Sequence, residues 1–129
     1  MSKYRFFEDS ELSCHCDKCK DNPTADNMDE GFMNTIVRLR ESLGFAFPVS
    51  SAYRCPNHPV ERNKETPGAH TSGKAIDILV SGPRAYKILR ESFDADILGI
   101  GVSQTGKHNS RFIHLDQWVE GPRPAVWSY

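Results

Sequence analysis

A chain of 129 residues with 38% apolar and 26% charged side chains has the size and composition of one globular domain, and a chain of that length buries roughly 70% of its unfolded surface without needing cross-links. Its net charge of −1 argues against a dedicated nucleic-acid binder and against electrostatic docking on an anionic membrane. No apolar run approaches the roughly 18 residues of a membrane span.

Along the chain, residues 4–12 read as an extended segment anchored by Phe6, Phe7 and Leu12. Glu8 and Asp9 stand where a signal peptide has its apolar core, so the expectation is synthesis in the cytosol with no visible export signal. A substrate outside the cell then requires another route, of which phage lysis or a phage particle is one. Residues 13–26 are polar and cysteine-rich and read as loop. Over 27–43, Phe32, Ile36, Leu39 and Leu43 recur at helical spacing beside Met33 and Val37. Asn27 and Glu30 resemble a capping box, and Gly44 is a stop. Ala46 to Ala52 reads as a short strand whose Pro48 favours a sheet edge.

Residues 54–73, with three prolines and little periodicity, read as a long loop. Lys74 to Val80 is a strand with Ala75, Asp77 and Leu79 on one side and Ile76, Ile78 and Val80 on the other. Ser81-Gly82-Pro83 opens a second helix to about Phe93. Ile97 to Ser103 is a glycine-rich strand, 104–110 a polar turn, and Arg111 to Trp118 the last strand before a proline-containing tail ending at Tyr129. The order predicts one α+β domain over residues 1–129, a small, mainly antiparallel sheet with flanking helices.

Three places carry chemistry. His70 closes the long loop and Asp77 lies inside an apolar strand, where an uncompensated carboxylate is costly. A cation, an arginine or backbone donors each remove that cost. In the last strand, period-2 alternation puts Phe112, His114, Asp116 and Trp118 on one face. At the end of Ser51-Ala52-Tyr53-Arg54 an arginine is set to bind a carboxylate or an oxyanion. Two histidines and a carboxylate suit a catalytic zinc, which takes three protein ligands and leaves a fourth position for water. The bland alternative is a satisfied loop histidine at His70 and a structural His114–Asp116 hydrogen-bond pair.

Ser51-Ala52-Tyr53-Arg54, then Gly68-Ala69-His70-Thr71-Ser72-Gly73-Lys74-Ala75-Ile76-Asp77-Ile78, then Phe112-Ile113-His114-Leu115-Asp116 resemble the D-alanyl-D-alanine carboxypeptidase family of zinc peptidases, which includes D-Ala-D-Ala dipeptidases and phage endolysins. The likeness is to its short, single-domain branch. The resemblance implies a zinc metallopeptidase acting on peptidoglycan stem peptides, with His70, Asp77 and His114 as metal ligands. It implies that Arg54 binds substrate or steadies the tetrahedral intermediate, that Ser72, Gly73 and Tyr53 shape the cleft, and that the loop carrying Glu61 to Glu65 borders it. Many relatives place an acid three residues before the last metal histidine, but here that residue is Arg111. The substitutes as general base are Asp116, which could equally orient His114, and His108 on the preceding turn. A fold that keeps the metal and binds peptides without cutting them is the alternative.

Cys14, Cys16, Cys19 and Cys55 fit a structural zinc site, a disulfide to Cys55, or free thiols. Tyr53, Trp118, Trp127 and Tyr129 either line a substrate groove or pack, His58 reads as exposed, and the charged run Glu61-Arg62-Asn63-Lys64-Glu65 reads most simply as a solvated loop.

Overall fold

The computed structural model describes residues 1–129. Five strands form one sheet in the order β1-β2-β4-β3-β5: β1 Val49–Ser51, β2 Ala75–Leu79, β3 Gly99–Ser103, β4 Phe112–Asp116 and β5 Ala125–Ser128. Three helices accompany it, α1 Asp9–Leu12, α2 Glu30–Leu43 and α3 Gly82–Asp94. All strand pairs are antiparallel except β3 with β5. The architecture is the predicted α+β, and no helix is long and apolar enough to cross a membrane.

The sheet has two unlike faces because its strands alternate. Ile76, Ile78, Ile113, Leu115 and Ile100 point to one side and join a buried cluster with Phe32, Met33, Ile36 and Leu39 of α2 and Ile88 of α3. The opposite face carries Asp77, His114 and Asp116, all buried. Pairing in register sets Asp77 opposite His114 and Ala75 opposite Asp116, so the chemistry sits on the face without helices.

Several boundaries differ from the sequence reading. The segment 4–12 is not extended throughout, since Asp9–Leu12 make a helical turn closed by a reciprocal Glu8–Glu11 capping box. Helix α2 starts three residues later than the pattern suggested. Its cap is Asp29, whose carboxylate accepts the Phe32 N–H at 2.8 Å. Asn27 is held elsewhere, its carbonyl lying where a Cβ on Gly73 would stand, while the Asp29 N–H donates to the Gly73 carbonyl at 2.9 Å. With φ at +76°, Gly73 ends the short 3-10 turn His70–Ser72 and packs it under the start of α2. The edge strand is only Val49–Ser51, directly after Pro48.

The largest correction is the tail. Arg111 to Trp118 does not hold the last strand, because Ala125–Ser128 add β5 along β3. Gly121, Pro122 and Pro124 mask this strand in the sequence, and four residues are too few for a periodic signal. The glycines of β3 make the tail's return possible. Gly99 faces Asp116 and Gly101 faces His114, both without side chains. A Cβ on Gly101 would stand 2.7 Å from Trp127 Nε1, and one on Gly99 would fall on the Asp116 carboxylate and Arg123. Gly99→Ala is therefore expected to destabilise the protein by about 1–3 kcal/mol, read as a lower denaturant midpoint at unchanged slope.

Candidate metal centre

His70, Asp77 and His114 come from a loop turn and the two central strands, and their ligand atoms lie within 4.8 Å of one another. Each imidazole is aimed by a partner behind it. His70 Nδ1–H donates to the Ala52 carbonyl at 2.6 Å, which leaves Nε2 facing Asp77 Oδ1 at 3.4 Å. His114 Nε2–H donates to Asp116 Oδ2 at 2.6 Å, which turns Nδ1 to Asp77 Oδ1 at 2.9 Å. Fixing one ring nitrogen by hydrogen bonding presents the other as a ligand in the correct tautomer. Two imidazole nitrogens and one carboxylate oxygen, inward-facing and backed by such partners, fit the donor set of a catalytic zinc.

Burial alone would raise the Asp77 carboxyl, but hydrogen bonds and charge from His114 and His70 more than reverse this and hold it well below the usual carboxylate range. Burial likewise opposes ionisation of Asp116, yet hydrogen bonds from His114 and Arg123 bring it down to about 2. His114 feels the converse: burial lowers it, and hydrogen bonds to Asp116 and Asp77 raise it overall.

Asp116 does not reach the cleft. It is fully buried, with Oδ2 taken by His114 and by Arg123 at 2.8 Å, and Oδ1 taken by Arg123 Nε at 2.9 Å and the Trp118 N–H at 3.2 Å. Every acceptor direction is engaged on the far side of the His114 ring. This geometry favours the orienting role over the base role. His108 lies exposed in the 3-10 turn His108–Ser110 and does not line the cleft. Arg111 donates twice to the Gly106 carbonyl, at 3.1 and 2.9 Å, and so closes the same turn.

The open cleft above the three ligands measures about 600 Å³ and is lined among others by Arg54, Lys64, Glu65, Trp118, Trp127 and Tyr129. Arg54 is where the sequence put it, with its guanidinium 3.9 Å from Asp77 and 3.5 Å from Glu61. Tyr53 instead packs against the core, and Ser72 spends its hydroxyl within its own turn, on the Ala69 carbonyl and the Lys74 N–H. Neither lines the cleft. Of the charged loop, Glu61 is not solvated but buried, accepting from Lys64 at 3.0 Å and Thr71 at 3.2 Å. Sequence reasoning missed Arg123. It grips Asp116 with two nitrogens while lying between the rings of Trp118 (5.0 Å) and Trp127 (4.8 Å). The cue available was one arginine amid tail tryptophans.

Compared with known proteins, residues 5–116 match the family model described as Peptidase M15. The chain belongs to the peptidase M15 family. No curated protein and no solved structure gives a match. M15 membership points to a metallopeptidase and a peptide substrate, and the matched span contains all three inward-facing ligands while ending before Arg123 and Trp127.

Two outcomes test this M15 centre. Asp116→Ala removes the acceptor that sets the His114 tautomer and is expected to weaken zinc binding about 10–100-fold in chelator competition. Glu61 supplies a pH signature. Burial opposes its charge, but Lys64, Thr71 and Arg54 outweigh burial and depress its pKa. Its stabilising contribution is thus complete above its unfolded value of about 4.3 and lost as pH falls through the lower folded value. Glu61→Gln is expected to be less stable at neutral pH and to lose less stability below about pH 4, seen in denaturant midpoints across pH.

Proposed function

We propose that this M15 protein is a zinc metallopeptidase that hydrolyses amide bonds in peptidoglycan stem peptides, as a D-Ala-D-Ala carboxypeptidase or an endopeptidase. The observation that carries the reading is the convergence of His70 Nε2, Asp77 Oδ1 and His114 Nδ1 at the floor of an open cleft. A zinc ion held there supplies an acidified water and a Lewis acid for a peptide carbonyl.

The chain's own residues supply recognition and proton transfer. Arg54 and Lys64 line the cleft as cations for the carboxylates of a stem peptide, and Arg54 is placed beside Asp77 to receive an oxyanion. Phe112, Trp127 and Tyr129 form an apolar wall suited to alanine methyl groups and to excluding water. With Asp116 engaged and His108 outside, the one cleft-lining carboxylate besides Asp77 is Glu65, exposed on the loop. Glu65 is therefore assigned as the group that accepts a proton from the attacking water and returns it to the leaving amine. Since such peptides lie in the cell wall, the protein acts there, delivered by a route such as phage lysis.

One observation favours a second reading, a peptide-binding module without turnover: the position three residues before His114 holds Arg111, engaged with Gly106. Mass spectrometry of peptidoglycan fragments incubated with zinc-loaded protein separates the two. Hydrolysis predicts shortened or unlinked stem peptides, a kcat lower by about a hundredfold or more in Glu65→Gln, and a raised KM in Arg54→Ala. Intact peptides together with tight binding by calorimetry establish the module instead.

A further inference from the structure

Outside the cleft, a second set of ligand-type side chains converges. The Cys55 sulfur lies 3.6 Å from that of Cys14, 3.4 Å from Cys16 and 3.8 Å from Cys19, and all four sulfurs fall within 4.8 Å of one another. None is bonded to another. A disulfide holds two sulfurs at about 2.0 Å and uses them up in a pair, whereas here one sulfur has three near-equal neighbours. Four thiolates placed tetrahedrally around zinc at about 2.3 Å stand about 3.8 Å apart, which matches the spacings found. A cluster of bridged irons spreads its cysteine sulfurs over separate metals and so sets them wider.

The chain is shaped to bring these sulfurs together. The Cys16 carbonyl accepts from the N–H groups of Cys19 and Lys20, both at 3.0 Å, so the backbone reverses within the C-x-x-C step. The Tyr53 N–H donates to the Leu12 carbonyl at 3.4 Å, which carries Cys14 alongside Cys55. Cys14 and Cys16 are buried although residues 13–29 contain no helix or strand. Lys18 and Arg62 line the adjoining hollow with Asp17, His15 and His58, so two cations and one carboxylate stand beside the four sulfurs.

We infer that Cys14, Cys16, Cys19 and Cys55 bind a second, structural zinc ion that fastens the N-terminal loop to the wall of the cleft. Binding exchanges four thiol protons, released to solvent, for one divalent ion, leaving a net charge of −2 and no change of oxidation state. Four protein ligands close the coordination shell, so the ion has no open position for substrate or water. Its effect on the cleft passes through the neighbour of Cys55. Arg54 donates its N–H to the His70 carbonyl at 3.3 Å and sends its guanidinium to Asp77 and Glu61. The ion thereby fixes one end of the loop that carries Glu61, Lys64 and Glu65.

The test is a zinc count on protein made in a reducing cytosol and purified without chelator. Wild-type protein is expected to hold two zinc ions per chain. The double variant His70→Ala/His114→Ala is expected to keep one, and Cys55→Ser to keep the other. Because cysteine variants can fail to fold, the His70→Ala/His114→Ala protein is also titrated with a mercurial thiol reagent. Release of one zinc in step with modification of four thiols supports the assignment. It is overturned by freely reactive thiols with no zinc released, by the mass deficit of a disulfide, or by iron in place of zinc. Zinc absent from the histidine centre but present on the cysteines would sink the peptidase reading and leave this one standing.

Discussion

The structure depends on one buried pairing, Asp77 of β2 against His114 of β4. A carboxylate set between Ile76 and Ile78 survives burial only where cations or donors meet it. Here two imidazoles and Arg54 do so, on the sheet face without helices. The pairing register is thereby doubly determined. A slip of one residue would drive Asp77 into the apolar cluster beneath α2 and α3 and expose Ile76 or Ile78. The interaction that brings the candidate metal ligands together also excludes the wrong strand alignment.

Charge around this pairing is nearly balanced. Asp77, Asp116 and Glu61 are met by Arg54, Arg123 and Lys64, each within 4.0 Å of a carboxylate. A divalent ion held in such a balanced set would give the cleft a positive surplus. The opposing requirement is that the histidines stay aimed, and aim is provided from behind by Ala52 and Asp116. Arg123 in turn neutralises Asp116, so the orienting carboxylate is already engaged behind the His114 ring.

Much of this was legible in the sequence. Helical spacing of Phe32, Ile36 and Leu39 placed α2, and strict alternation around Asp77 and His114 placed both on one side of their strands. What alternation cannot give is the side of an imidazole ring on which a neighbour sits. Asp116 shares the face with His114, yet only the folded tail, with Arg123 over it, reveals that it points away from the cleft. The same holds for Glu61. A run of Glu61-Arg62-Asn63-Lys64-Glu65 reads as solvated, while burial of its first member depends on Thr71 and Arg54, which meet it only after folding. Strand β5 escaped because its partner strand is neither adjacent in sequence nor antiparallel.

The placement of the indoles has an optical consequence. The chain has two tryptophans, both in the cleft wall, and the Trp127 ring centroid lies 5.2 Å from that of His114. Emission from this protein therefore originates in the cleft wall, and the share from Trp127 originates beside the His114 imidazole. The fold has built its own spectroscopic gauge of what sits on His114.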